Sequence, residues 1–160
     1  MNDQVDHILQ QWKKIKPQLD CSNMGIVGRL GRVYQQWAQQ LTSVFKQHAM
    51  SNIEFDILAT LRRNQTPLTP TELYKTLMLS SGAMSTRIEQ LVQRGLIKRI
   101  SSEQDRRSCK VKLTTAGEKA VDIALQAHLN NMDNMLTMLN DHEKAQFTQL
   151  LKKVLQAKKE

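Results

Sequence analysis

A mainly α-helical chain with one small β-hairpin is what the sequence predicts, on three observations. Apolar residues recur at spacings of three and four along most of the 160 residues. Period-two alternation is confined to one place, where Cys109, Val111 and Leu113 alternate with Ser108, Lys110 and Lys112. Helix-start patterns of the Ser/Thr/Asn-x-x-Glu kind stand ahead of several helical stretches, as at Thr69 with Glu72, Thr115 with Glu118 and Asn140 with Glu143.

Taken in order, Val5, Ile8, Trp12, Ile15 and Leu19 form a loose stripe that Pro17 interrupts, so the first helix is expected over about residues 3 to 16. Val27, Leu30, Tyr34, Trp37, Leu41 and Val44 then make a long amphipathic helix with a near-heptad seam. A helix from Ser51 to Arg63 follows, capped by Ser51 and turning Phe55, Leu58 and Leu61 inward, and Asn64 to Leu68 is a turn. Thr69 as cap, Pro70 in the first helical position and Glu72 as capping-box partner start a short helix to about Leu77. From Ser81 onward Met84, Ile88 and Leu91 line one face, while Gly82, Thr86, Glu89 and Gln93 share the other. Gly95 is placed as the stop, Leu96 to Ile100 is strand-like, and Ser101 to Ser108 joins it to the return strand with Arg106 and Arg107 near the tip. Thr115 with Glu118 opens a long helix carrying Val121, Leu125, Leu129, Met132, Leu136 and Leu139, and Asn140 caps a last one carrying Phe147, Leu150, Leu151, Val154 and Leu155.

Three helices starting near Ser51, Thr69 and Ser81, the last two forming a helix-turn-helix, followed by a cationic hairpin, make a winged helix-turn-helix. The expected organisation is 1–50 for the N-terminal helices, 51–113 for the lobe and 114–160 for the C-terminal helices. The terminal helices are apolar along more length than so small a lobe covers. A homodimer would bury the surplus, the alternative being an intramolecular bundle of the two ends. Charge agrees with a polyanionic partner, since the chain carries a net +8 and a pI near 9.7. Residues 51–113 hold eleven Lys or Arg against six Asp or Glu, which is +5 of that +8. Double-stranded DNA is the expected target.

Other classes are disfavoured. The four histidines, His7, His48, His128 and His142, are scattered without a carboxylate pair, Gly-rich phosphate loop or nucleophile motif, so neither catalysis, a cofactor nor a metal site is expected. Cys21 and Cys109 form no disulfide framework. With no signal-like apolar run or membrane-spanning stretch, a reduced, cytoplasmic protein is expected.

The wing reads Asp105, any residue, Arg107, five residues, then Leu113 and Thr114, and the whole arrangement resembles the MarR family of bacterial transcriptional regulators. QQW at Gln10 to Trp12, PQLD at Pro17 to Asp20, EFDILATLRR at Glu54 to Arg63 and SSGAMSTR at Ser80 to Arg87 are similar to its PecS/HucR-like, urate-responsive subgroup, marked by an extra tryptophan-bearing N-terminal helix. The resemblance implies a ligand-responsive regulator, more often a repressor, that binds a pseudo-palindromic operator as a homodimer.

For DNA, Ser80 and Ser81 at the helix start suit a phosphate, Gly82 permits close backbone approach, and Ser85, Thr86 and Gln90 are best placed for base edges. Arg87 joins this set. The family motif puts Arg107 in the minor groove; Arg106 suits a phosphate, and Asp105 holds the wing. For the effector, a urate-like, phenolic or carboxylic acid, the resemblance implicates Trp12, Asp56, Arg87 and Arg99. Asp56 is suggestive by itself, because it stands among Phe55, Ile57 and Leu58, where a carboxylate wants a partner such as Arg87 or Arg99. A purely structural ion pair is the competing role for that cluster. Two alternative functions stay open: a redox-sensing regulator using Cys21, and a ligand-independent architectural or RNA-binding protein.

Overall fold

A computed structural model describes residues 2–77, 81–101 and 109–157. The described elements are α1 (Gln4–Ile15), α2 (Ser22–Gln47), α3 (Asn52–Asn64), α4 (Pro70–Leu77), α5 (Ser81–Gln93), β1 (Ile97–Ser101), β2 (Cys109–Leu113), α6 (Thr115–Met135) and α7 (Asp141–Gln156). The expected class, mainly helical with a two-stranded hairpin in a winged helix-turn-helix, is therefore what forms. The chain divides into two compact units, Met1–Leu41 and Thr42–Glu160.

In the first unit α1 lies on the N-terminal part of α2. Asp3 caps α1, its carboxylate accepting from the Val5 and Asp6 N–H groups while Asp6 accepts from the Asp3 N–H. Those two carboxylates also receive Arg29 of α2, at 2.7 Å from Asp3 and 2.6 Å from Asp6. Glycines let the helices approach, since a Cβ on Gly25 would stand 3.2 Å from the Leu9 side chain and one on Gly28 3.7 Å from that of buried Val5. Val27, Leu30 and Tyr34 of the α2 stripe are exposed, while Trp37 and Leu41 are half-buried.

The second unit is built around α3. Ser51 caps it in a capping box with Glu54, and its Ile57 and Leu58 are fully buried. Elements α4, α5, β2 and α6 pack on α3, and buried with its core are Leu73 of α4, the predicted stripe Met84, Ile88 and Leu91 of α5, Ile97 and Val111 of the hairpin, and Val121 and Ala124 of α6. Burying a side chain of this size contributes about 1.5 to 3 kcal/mol, so this apolar centre sets the face on which α5 lies against α3. Thr69, Pro70 and Glu72 start α4 as expected, with Glu72 accepting from both the Thr69 N–H and hydroxyl. Gly95 takes a left-handed φ of 68° and turns the chain into β1. The strands are antiparallel, with Ile97 opposite Leu113, Lys98 opposite Lys112 and Arg99 opposite Val111.

Several expectations need correction. The turn before α4 also takes part in the sheet, because Leu68 and Val111 exchange backbone hydrogen bonds of 3.1 and 2.8 Å. The cap of α6 is Thr114, not Thr115, and no capping box with Glu118 forms. The Thr114 hydroxyl accepts from the Gly117 N–H at 3.0 Å and donates to the Gly95 carbonyl at 2.6 Å, so one side chain ends β2, starts α6 and ties both to the end of α5. Gly117 then passes so close to the Leu96 carbonyl that any β-carbon would collide with backbone. Helix α6 stops at Met135, leaving Leu136 and Leu139 outside it. No residue of α7 is buried among those described. No described helix is long and apolar enough to cross a membrane.

The capping of α1 gives a pH prediction. The Arg29 hydrogen bond, foremost, lowers Asp3 from 3.8 to about 2. A depressed carboxylate stabilises the docked helix above its ordinary pKa, and that contribution disappears as pH falls from about 4 through about 2. Amide exchange in α1 is expected to accelerate over that window while that of α3 does not, and Arg29→Gln should return the Asp3 titration toward 3.8. An Asp3 carboxyl titrating at its ordinary value in the wild type would contradict the docking.

Candidate nucleic-acid interface

With Met84, Ile88 and Leu91 buried, helical geometry forces Gly82, Ser85, Thr86, Glu89 and Gln90 outward, and all five are exposed. The Thr86 hydroxyl donates back to the Gly82 carbonyl at 3.3 Å. Arg87, half-buried on the flank, donates to the Gln90 amide oxygen at 2.9 Å, so the two lie side by side on the helix surface. Among the described residues, its chain neighbours and its own helix backbone apart, nothing comes within 4 Å of where a Gly82 Cβ would stand, so none of those contacts requires a glycine there. Arg99 of β1 pairs with Glu89 of α5 at 2.7 Å and clips the wing to this helix. Both partners are half-exposed, which limits such a pair to a fraction of a kcal/mol, about 0.2 to 1. Ser80, Asp105, Arg106 and Arg107 lie outside the described residues, as does the Ser81 side chain.

Of the ligand-set residues in the second unit, Asp56, Arg87 and Arg99 form no ion pair with one another. Arg99 is taken by Glu89 and Arg87 by Gln90, and Asp56 forms an ion pair with neither. Burial raises the Asp56 carboxyl, and its titratable neighbours include Arg63 and His128 of α6. The reason is rotation: two residues along a helix turn the side chain by about 200°. Glu54 therefore faces the end of α5, and Asp56 faces elsewhere. Trp12 stands on α1, 40% exposed.

Glu54 is the residue the sequence reading missed. Only 7% exposed, it accepts from the Ser51 N–H at 2.7 Å and from Arg94, one residue past α5, at 3.0 Å. Arg94 also donates to the Ala49 carbonyl at 2.7 Å. Burial opposes ionisation of Glu54, yet the Ser51 hydrogen bonds and the Arg94 and Arg87 charges outweigh it and hold its pKa below the ordinary value. The signal was present, because Glu54 stands three residues after the cap at Ser51, the spacing recognised at Thr69 and Asn140. A second missed cluster is aromatic: Phe45 stacks on Phe55 with ring centroids 4.2 Å apart, and His128 tilts against both at 5.1 and 5.3 Å. Its Nδ1 is buried without a hydrogen-bond partner among the described residues, and burial lowers its pKa. Cys21 shares a hollow of about 270 Å³ with Lys13 and Asp20. No group of three or more candidate metal ligands occurs among the described residues.

An outward helix face beside a hairpin, carried on a helix-turn-helix, defines a winged helix-turn-helix DNA-binding protein. A MarR family model matches residues 50–108. The transcriptional regulator PecS of Dickeya dadantii is 34% identical over 94% of this chain and 92% of its own. The multiple antibiotic resistance protein MarR of Escherichia coli is 34% identical over 64% of this chain and 71% of its own. The crystal structure of a cysteine-to-serine variant of Escherichia coli MarR complexed with operator DNA superposes with a TM-score of 0.71 at 28% identity, covering 90% of this chain and 97% of that one. The chain belongs to the MarR family. It is thus a DNA-binding transcription regulator and not an enzyme.

The Glu54 contact generates the next prediction. Arg94→Ala leaves a buried carboxylate without its cation, which after allowance for the partial exposure of Arg94 is expected to cost about 1 to 2 kcal/mol. Chemical denaturation measures that loss, and Arg94→Lys should recover part of it. Wild-type stability in Arg94→Ala would remove the pair from the scaffold.

Proposed function

We propose that the protein is a homodimeric, ligand-responsive repressor that binds a pseudo-palindromic operator and is released by a small anionic or aromatic effector. The outward face of α5 carries this reading. It sets Ser85, Thr86 and Gln90 on one exposed surface, in reach of a major groove, with Arg87 on its flank. Ser80 and Ser81 at the start of this helix contact a phosphate, with Gly82 giving room for the DNA backbone. Arg107 enters the minor groove, Arg106 meets a phosphate, and Asp105 holds the wing. Residues 51–113 form the DNA-binding lobe, and 1–50 with 114–160 the dimerisation helices. Support for the homodimer comes from exposed apolar side chains on the terminal helices, among them Ile26, Val27 and Leu30 of α2 and Leu150, Val154 and Leu155 of α7. Apolar surface left open on either helix gains from a partner that covers it.

The effector reading follows what the resemblance to the PecS/HucR-like subgroup implies and keeps Trp12, Asp56, Arg87 and Arg99 as its residues. Asp56 bears on it through its raised pKa, since a carboxylate uneasy in its surroundings gains from a ligand donor. Arg87 and Arg99 bear on it because their partners, Gln90 and Glu89, are surface groups that an anionic ligand displaces at small cost.

Three outcomes are expected. Arg107→Ala should weaken operator binding by about 1 to 3 kcal/mol in a gel-shift titration with the fold intact; undiminished affinity would take Arg107 off the DNA. Light scattering at micromolar concentration should give twice the 18.4 kDa chain mass, and a stable monomer would refute the dimer. In a panel of urate, xanthine and small phenolic or carboxylic acids, an effector should release wild-type protein from DNA and act more weakly on Trp12→Phe, Asp56→Ala and Arg99→Ala. If all three variants respond like wild type, the effector binds elsewhere.

A further inference from the structure

Behind the wing lies a second feature that the DNA-binding reading does not use. A cleft of about 560 Å³ opens between the end of α3, the solvent face of the hairpin and the start of α6, lined by Arg62, Pro67, Lys98, Lys112, Leu113 and Thr115 among others. None of the residues assigned to DNA or to the effector lines it. Its volume falls in the range that holds a small molecule, roughly 300 to 1,000 Å³.

The charge in this cleft is unbalanced in a specific way. Lys98 and Lys112 are direct cross-strand partners, an arrangement that places two like charges side by side and destabilises a hairpin. Neither lysine forms an ion pair among the described residues. Of the nearby acids, Asp122 takes Nε and Nη2 of Arg62 at 3.0 and 3.1 Å, and Glu118, which itself lines the cleft, adds its charge beside the same guanidinium. The cleft lining thus carries Arg62, Lys98 and Lys112 against the single carboxylate of Glu118, beside the exposed Thr115 and with Leu61, Pro67 and Leu113 supplying apolar wall.

We propose that this cleft binds a small molecule bearing two or more anionic oxygens, a polycarboxylate or a phosphorylated compound, with Lys98 and Lys112 each taking one anionic group. Binding there removes the cross-strand repulsion and joins α3, the hairpin and α6 through one ligand, so it stiffens the base of the wing. The site is separate from the proposed effector residues, and its test contains no DNA in the binding step.

The experiment titrates the full chain with citrate and, separately, with pyrophosphate, against sodium chloride of equal ionic strength, following melting temperature and backbone amide NMR shifts. Either anion is expected to raise the wild-type melting temperature by about 3 to 5 °C at ten times its Kd and to shift the Lys98, Lys112 and Thr115 amides. A response to citrate alone marks a carboxylate ligand and a response to pyrophosphate alone a phosphate ligand, and both support the site. Lys98→Gln with Lys112→Gln should weaken binding roughly tenfold or more while melting no lower than wild type in chloride. Lys152→Gln with Lys153→Gln, the same charge change on α7, should bind like wild type. Equal weakening in both double variants reduces the effect to net charge and overturns the proposal, as does a wild-type response no larger than that to chloride. A double variant at Lys98 and Lys112 that keeps its anion response but loses operator affinity in a gel shift assigns the lysines to the DNA backbone and overturns it too.

Discussion

A buried carboxylate at Glu54 is the constraint on which the DNA-reading surface depends. An ion removed from water needs partners in fixed directions; here they are the Ser51 cap and Arg94 at the end of α5, and Arg94 is in turn held by the Ala49 carbonyl in the connection before α3. Satisfying one charge therefore fixes where α3 begins, how the chain enters it from α2, and where α5 ends. Ala49 accepts a left-handed φ of 53° within this arrangement, a conformation that a residue with a β-carbon takes only when its surroundings hold it there.

Apolar packing and charge share the work unequally. Burial of Met84, Ile88 and Leu91 against α3 sets the plane of α5; the Glu54–Arg94 contact sets its position along that plane, and Glu89–Arg99 adds only a weak surface clip to the wing. What is held firmly is the scaffold side of the helix. The reading side carries short hydroxyl and amide groups whose own hydrogen bonds are local, Thr86 to Gly82 and Arg87 to Gln90. Groups held so lightly exchange partners easily when a groove is presented to them.

The elements were largely legible because each is written in local chemistry. Ser51, Thr69 and Asn140 cap where expected, Gly95 takes the positive φ that a helix stop requires, and the period-two run at Cys109 to Leu113 is β2. What was not legible depended on direction in space. Asp56 attracted notice as a carboxylate in an apolar run, but the sequence does not say that it turns toward α6 while Glu54, two residues earlier, turns toward Arg94. The move of the α6 cap from Thr115 to Thr114 has a similar cause: Thr114 is the residue whose hydroxyl lies within reach of Gly95, and that proximity exists only once the hairpin has closed. His128 between Phe45 and Phe55 was hidden because its neighbours come from two other helices.

The close passage of Gly117 over the Leu96 carbonyl turns α6 into a lever with its fulcrum at the wing. Backbone against backbone leaves no side chain to act as a cushion, so the first turn of the helix and the start of β1 move as one body. Twenty-one residues at about 1.5 Å each give an arm of roughly 30 Å, so a tilt of about 4° at the pivot sweeps the distal end through about 2 Å. Read in reverse, a displacement of one helical groove's fraction at the far end reaches the hairpin as a rotation of a few degrees with almost no translation.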